Sequence, residues 1–148
     1  MNLDLPSHEK AKPCSLENLR DIPKLPGCYA IWSGDVLVYV GEAGSRWTKE
    51  KPKTSHINRR LSDHIRGTRS DVFPVYVFER FVLKTLTRSE INSISEGKES
   101  ISGLSKKYVQ NNFSFTYVTT EVHSDAKETE NYYRKGGFGI KPIINPLN

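Results

Sequence analysis

The alternation of apolar and polar residues is strongest in residues 25–41, where two runs rich in valine, isoleucine and aromatic side chains flank Ser33-Gly34-Asp35. Pro26 and Gly27 precede the first run and Gly41 ends the second, and residues of these types commonly bound short strands. The pattern therefore predicts a β-hairpin with a tight turn.

The length of this turn decides how the two tyrosines of the hairpin are arranged. Side chains alternate between the two faces of a strand, so Leu37 and Tyr39 are expected on one face. A three-residue turn pairs Trp32 with Val36 and places Tyr29 directly opposite Tyr39. A two-residue turn would put the tyrosines on opposite faces, because a shift of one residue reverses every side chain.

A helix is predicted for residues 55–67, with Ser55 as its N-cap and Gly67 as its stop. Its apolar residues are spaced by four and form one stripe: Ile57, Leu61 and Ile65. At about 100° per residue, Arg60 and His64 lie beside this stripe and Arg59 points away from it. Arg60 is therefore expected near the protein body, and Arg59 in solvent or on a backbone phosphate.

Residues 71–83 are rich in valine and phenylalanine and are predicted to form a strand, with Pro74 at an edge or a bulge. Thr87-Arg88-Ser89-Glu90 matches a capping box that opens a short helix. The other predicted elements, in chain order, are a short helix at 15–20, a helix at 100–110, a strand at 113–122 and a helix at 125–135.

The helix predicted at 125–135 carries Ala126, Glu130 and Tyr133 on one face, whereas Glu128 lies nearly opposite. A carboxylate on the inward face needs a partner, because an unpaired buried charge is costly. Glu130 is thus a candidate for a metal or an arginine, whereas Glu128 is not. A salt bridge from Glu130 to Arg60 with only structural value is the simpler interpretation of the residues alone.

The chain has 148 residues, which is enough for one domain with a hydrophobic core. A formal net charge of +5 and a pI near 9.2 favour a polyanionic partner without requiring one. Cys14 and Cys28 lack metal-site spacing, which favours a reducing, cytoplasmic setting. No membrane association is expected, because no apolar run is long enough to span a bilayer.

The loop at residues 42–54 places three lysines around Trp47: Lys49, Lys51 and Lys53. Basic residues interleaved with an aromatic residue can bind phosphates and stack on a base. A solvated surface loop explains the same residues equally well, so both interpretations stay open.

Gly27-Cys28-Tyr29 followed by Tyr39-Val40-Gly41 resembles the signature pair of the GIY-YIG nuclease superfamily. The order continues with an arginine, a histidine, a glutamate and an asparagine: Arg60, His64, Glu130 and Asn145. The resemblance thus extends from Leu25 to Pro146. It implies an α+β fold with a small central antiparallel sheet flanked by helices. It also implies a nuclease domain at 25–148, with insertions at about 44–55 and 86–112, after an N-terminal extension at 1–24.

The resemblance implies an endonuclease that hydrolyses DNA with Mg²⁺ or Mn²⁺. Glu130 is implied as the metal ligand, and Mg²⁺ commonly takes few protein oxygens and keeps several waters. Arg60 would bind phosphate oxygens through its planar fork. Tyr29 is the first choice for the general base, with Tyr39 positioning water or phosphate. His64 would share either role, or act as an acid at the leaving oxygen.

Supporting roles are implied for the two motif glycines and for an asparagine near the end: Gly27, Gly41 and Asn145. Glu42 departs from the family pattern, because members commonly carry a lysine or a small polar residue there. The candidate contacts to DNA are Lys49, Lys51, Lys53, Arg59 and Arg66.

Two rival interpretations remain open. One is a catalytically inactive nucleic-acid-binding module on the same fold, and the other is an interaction domain whose charge is incidental. The absence of a visible separate DNA-binding domain favours a restriction-like or partner-directed enzyme. The sequence leaves open whether DNA or RNA is cut and whether the chain acts as a monomer or a homodimer.

Overall fold

The computed structural model describes residues 4–52 and 55–145. Over these residues the chain is α+β, with a four-stranded antiparallel sheet and five α-helices. The strands are β1 (Lys12–Pro13), β2 (Gly27–Ser33), β3 (Val36–Ala43) and β4 (Ser114–Thr119). They are arranged in the order β1-β4-β2-β3, so β2 lies in the middle and β3 lies at one edge.

The α-helices are α1 (Ile57–Arg66), α2 (Phe73–Val77), α3 (Arg88–Ser95), α4 (Ile101–Asn112) and α5 (His123–Arg134). Short 3₁₀ helices occur at His8–Lys10, Glu17–Leu19 and Leu83–Thr85, and a π-helix occurs at Phe78–Val82. None of the helices in the described part of the chain has the length and apolar content needed to cross a bilayer.

The sheet separates two clusters of buried side chains. On one face, Tyr29 and Ile31 of β2 pack with α1, α2 and α4 through buried residues such as Leu61. On the other face, Trp32 packs with Tyr133 of α5. The fold is therefore three-layered, with helices on both faces of the sheet.

The hairpin has a two-residue turn, which is the second of the two alternatives that the sequence left open. Gly34 and Asp35 form the turn, and Ser33 pairs with Val36. The φ angle of Gly34 is 60°, a left-handed conformation that two-residue hairpin turns commonly require.

A β-bulge places the two tyrosines on the same face of the sheet despite the two-residue turn. Trp32 pairs with Leu37 and Ile31 pairs with Tyr39, so Val38 is an extra residue on β3. Leu37 and Tyr39 therefore face opposite sides, contrary to the prediction. Tyr29 shares the face of Ile31 and Tyr39, but the residue directly opposite Tyr29 is Gly41.

The predicted strand at 71–83 is wrong, because this segment is helical. Phe73 and Val77 are spaced by four and both are buried, which is a helical period. Pro74 lies in the first turn of α2, where its missing N–H has no helical partner to lose. Asp71 Oδ1 accepts a hydrogen bond from the Phe73 N–H at 3.3 Å and so supports the start of the helix.

Side-chain caps begin α1, α3 and α4, whereas α2 and α5 begin without one. The capping box of Thr87 and Glu90 is confirmed, and Ser100 caps α4. The predicted Ser55 cap is wrong, because the N-cap of α1 is His56, whose Nδ1 accepts from the Arg59 N–H at 3.0 Å. Gly67 ends α1 in the left-handed region with φ of 67°.

Residues before the hairpin contribute to the sheet and to both clusters. The predicted helix at 15–20 is reduced to the 3₁₀ turn Glu17–Leu19, and β1 pairs with β4. Leu5 packs beside Trp32, whereas Cys14 and Leu19 are buried in the cluster of Tyr29. Burial raises the pKa of the free Cys14 thiol, which suits a packing role rather than a reactive one.

Gly27→Ala should destabilise the fold by about 1–3 kcal/mol, because overpacking between strands forces the backbone apart. A Cβ at Gly27 would lie 2.5 Å from the Val118 carbonyl oxygen and 2.8 Å from Ile57 Cδ1. Urea unfolding measures the change in the free energy of unfolding.

Gly103→Ala in α4 is the matched control. There the close atom is the flexible carboxylate of Glu99, 2.4 Å from the added Cβ, and alanine favours a helix interior. We expect this variant to stay within about 1 kcal/mol of wild type. Equal losses in the two variants would contradict the close-approach explanation for Gly27.

Candidate active site

A buried hydrogen-bonded chain links β2 to α1 and to the start of α2. The Tyr29 hydroxyl lies 2.6 Å from Nε2 of His64, and Nδ1 of His64 contacts the carboxylate of Asp71. Because a carboxylate accepts hydrogen bonds, the Nδ1–H donates to Asp71, which leaves Nε2 to accept from the Tyr29 hydroxyl. The sequence predicts roles for Tyr29 and His64 but not for Asp71.

Burial decides the protonation of this chain. Tyr29 is 0% exposed and His64 is 1% exposed. Burial raises the pKa of Tyr29 well above its usual range, and the neighbouring Tyr39 adds to the rise, although Arg60 opposes it. Burial also lowers the pKa of His64, against the opposing effect of its hydrogen bond to Asp71. At neutral pH, Tyr29 is therefore a phenol and His64 a neutral imidazole.

Arg60 lies next to the same chain. It is half-buried on α1, and its positive charge opposes the effect of burial on the pKa of Tyr29. The helical spacing that buries His64 thus holds the Arg60 guanidinium at the edge of the network, as predicted. Arg59, one residue earlier, is exposed.

One glycine of the hairpin, Gly41, leaves room for this arrangement. Gly41 lies opposite Tyr29, and a Cβ there would stand 2.3 Å from the Tyr29 hydroxyl oxygen. Any side chain at this position would therefore displace the hydroxyl from His64. Gly27 serves instead to let β2 approach Val118 of β4.

Tyr39 is influenced by charged groups from both sides of the sheet. Its ring centroid lies 6.2 Å from that of Tyr29 and 5.7 Å from that of His64. Burial raises its pKa, Arg60 lowers it and Glu130 raises it again. Tyr39 is half-buried, so it is more accessible than Tyr29.

Glu130 lies on α5 and forms an ion pair with Arg134. Glu130 Oε1 lies 3.6 Å from Nη1 of Arg134, one turn later, so among the described residues the predicted pair with Arg60 is not formed. Burial raises the pKa of Glu130, and the nearby Glu42 carboxylate raises it further. Glu42 itself lies 2.6 Å from Nε2 of His123 at the start of α5.

Asn145 orients Arg134. Its Oδ1 accepts from Nε and Nη2 of Arg134 at 3.1 and 2.9 Å. The backbone N–H groups of Ile143 and Ile144 donate to carbonyls of β3 at 3.1 and 2.8 Å, so the tail runs along the edge of the sheet. Asn145 therefore acts on Glu130 indirectly, through the guanidinium that both of them contact.

Glu130 is the candidate ligand for a single hard cation. Glu130 is 14% exposed at its side chain, and the negative charge of Glu42 is close enough to raise its pKa. Carboxylate oxygens are donors that suit Mg²⁺ or Mn²⁺, and Glu130 also pairs with Arg134. Within residues 4–52 and 55–145, no group of three or more histidine, cysteine, aspartate or glutamate side chains forms a metal cage.

The predicted DNA contacts fall in different places. Lys51 and Arg59 line one open cavity next to Arg60, whereas Lys49 lines a separate cavity with Trp47. Arg66 is exposed at the end of α1 and donates to the Ser62 hydroxyl at 2.9 Å. Lys53 lies outside the described residues.

Asp71 is the functional candidate that the sequence analysis missed. Its segment was predicted as a strand, and a strand gives no reason to assign a role to Asp71. The combination of an aspartate with Pro74 three residues later, and of Phe73 with Val77 four residues apart, is the signal for a helix start. This signal predicts that Asp71 lies at a helix N-terminus, but it does not predict the contact of Asp71 with His64.

Four of the predicted site residues thus lie on one face of the sheet: Tyr29, Tyr39, Arg60 and His64. Glu130 approaches Tyr39 of the edge strand β3 from α5. Comparisons with protein-family models, with curated proteins and with solved structures find no match to this chain. The likeness to GIY-YIG nucleases therefore stays a prediction that rests on these residues.

Proposed function

We propose that this chain is a metal-dependent endonuclease that hydrolyses phosphodiester bonds in DNA by a GIY-YIG-type mechanism. The observation that carries the proposal is the Arg60 guanidinium, which lines an open cavity and lies next to the buried chain of Tyr29, His64 and Asp71. A fixed guanidinium is suited to bind phosphate oxygens through two parallel donors.

Burial divides the roles of the two tyrosines. Tyr29 is fully enclosed, its hydroxyl contacts His64 and the Arg60 charge acts on it, so we assign it to positioning Arg60. Tyr39 is half-buried and is the tyrosine that substrate reaches first. We assign Tyr39 to orienting the attacking water or the phosphate. A tyrosinate base at Tyr29 is disfavoured, because its pKa is raised rather than lowered.

Glu130 is the residue that would hold Mg²⁺ or Mn²⁺. A bound divalent cation supplies charge stabilisation for the phosphoryl oxygens and a more acidic water. Arg134, fixed by Asn145, keeps the carboxylate oriented, and His123 holds Glu42 beside it. Tyr39, Arg60 and Glu130 would then face the same phosphodiester from two sides.

A catalytically inactive nucleic-acid-binding module is the second candidate. It is favoured by the Glu130 ion pair, because Arg134 already balances the carboxylate charge that a metal would need. Both candidates predict DNA binding, so cleavage separates them.

Purified chain with Mg²⁺ should nick or linearise supercoiled plasmid, and chelation of the metal should stop the reaction. Glu130→Ala and Arg60→Ala should each lower the cleavage rate by about 100-fold or more, because each removes charge stabilisation of the transition state. Gel analysis of plasmid topology measures the rate.

Glu128→Ala is the matched control, because Glu128 lies on the same helix but is exposed. It should cleave at the wild-type rate. A wild-type chain that binds plasmid yet leaves it intact with Mg²⁺ and Mn²⁺ would favour the inactive module. Unimpaired cleavage by Glu130→Ala would remove Glu130 from the mechanism.

Asp71→Asn should lower kcat by roughly 10- to 100-fold, the range found when a carboxylate that orients a metal-bound histidine is removed, because Asp71 orients His64 in the same way. The Asp71 carboxylate raises the pKa of His64 against the effect of burial. Its removal should lower that pKa further, so the acid limb of the kcat/KM profile should move to lower pH. Steady-state cleavage from pH 5 to pH 9, about the range in which histidine titrates, measures both effects.

Asp35→Asn in the exposed hairpin turn is the control and should leave the profile unchanged. A uniform loss of rate at all pH values, with no movement of the acid limb, would reduce Asp71 to a structural role. Thermal unfolding of both variants checks that the fold is retained.

A further inference from the structure

A cationic cavity opens directly beside Arg60. It has a volume of about 650 Å³ and lies between α1 and the loop that follows β3. The lining residues that matter here are Arg46, Lys51, Ser55, Arg59, Arg60 and Asp63. We call this cavity the basic groove.

The charge of the basic groove favours an anion. Four cationic side chains line it against one carboxylate, and that carboxylate, Asp63, accepts a hydrogen bond from the Thr68 hydroxyl at 3.3 Å. Pockets for drug-like ligands are mostly apolar with few polar groups. A cavity lined by guanidinium, ammonium and hydroxyl groups instead suits the phosphates of a polyanion.

The backbone of the basic groove is strained at one point. Ser55 has φ of 59°, and among the described residues it is the one non-glycine residue with positive φ. Such conformations cost free energy and occur often at ligand-binding sites. Ser55 directly precedes the His56 cap, so the strained residue presents the start of α1 to the cavity.

The electrostatic environment at this helix start is also positive. The pKa of His56 is lowered, first by burial and then by the charges of Lys24 and Arg59. The loop on the other wall is anchored, because Trp47 Nε1 donates to the Lys24 carbonyl at 2.9 Å. This bond ties the loop after β3 to the segment before β2.

We propose that the basic groove binds backbone phosphates of duplex DNA next to the phosphodiester that the active site cleaves, an inference that rests on the proposed function. Arg60 belongs to both sites, because it lines the groove and its charge acts on the Tyr29 hydroxyl. Arg46 and Arg59 then contact neighbouring phosphates and set the register of the duplex on the enzyme. Phosphate contacts carry no base information, so the groove gives affinity and orientation rather than sequence choice.

The test measures binding without chemistry. A fluorescently labelled DNA duplex is titrated with the protein at several salt concentrations in the presence of a metal chelator. The slope of log Kobs, the observed association constant, against the logarithm of the salt concentration is then determined. For B-DNA each phosphate contact contributes about 0.9 to this slope. The double variant Arg46→Ala/Arg59→Ala should reduce its magnitude by about 1.8, and Arg46→Lys/Arg59→Lys should largely restore it.

Arg80→Ala/Lys84→Ala is the matched control, because both residues are exposed and lie in the segment after α2. It should leave the slope unchanged. An unchanged slope in the Arg46 and Arg59 variant, or an equal reduction in the control, overturns the groove assignment.

The plasmid assay keeps the two proposals distinguishable. Metal-dependent cleavage by wild type with no effect of the groove variant on the salt slope overturns the groove and leaves the nuclease. A reduced slope with no cleavage under any metal overturns the nuclease, whereas the assignment of the groove to DNA phosphates stands. A preference for single-stranded DNA or RNA over the duplex overturns the stated substrate class.

Discussion

The hydrogen bond from Tyr29 to His64 is the interaction on which the candidate site depends. Both groups are buried, and a buried polar group without a partner costs free energy comparable to a lost hydrogen bond. The bond therefore requires β2, α1 and Asp71 to be in place together, and Gly41 must stay without a side chain. Within the described residues, no buried side-chain nitrogen or oxygen lacks a hydrogen-bond partner. A complete network of this kind is rigid, and this rigidity holds Arg60 at the protein surface.

The sequence predicted the positions on α1 well, because they follow from helix geometry alone. Its apolar stripe predicted that His64 lies towards the protein and Arg59 points into solvent, and in the structure His64 is buried and Arg59 is exposed. The hairpin was harder to predict, because the face on which each side chain lies depends on the length of the turn and on any bulge. The two-residue turn and the extra residue Val38 compensate for each other, so Tyr29 and Tyr39 share a face in a register that alternation does not predict.

Tertiary contacts explain what the sequence missed. The segment after residue 70 is rich in residues that favour strands, yet its buried positions repeat with a helical period, and packing on α4 decides between the two. The proximity of Asp71 to His64 depends on that helix. Residues 4–22 likewise join both buried clusters through apolar side chains spaced irregularly among prolines, for which no periodicity gives a signal.

The two halves of the candidate site can meet only at the edge formed by β3. Tyr29 and His64 fill one face of the sheet, whereas Glu130 comes from α5, which packs on the other face. Tyr39 lies on this edge strand, and its pKa is affected by Arg60 and by Glu130. A phosphodiester bound there would contact the guanidinium from one side and the carboxylate from the other. Because Arg60 also lines the basic groove, a duplex lying in that groove would lead its backbone to the same edge.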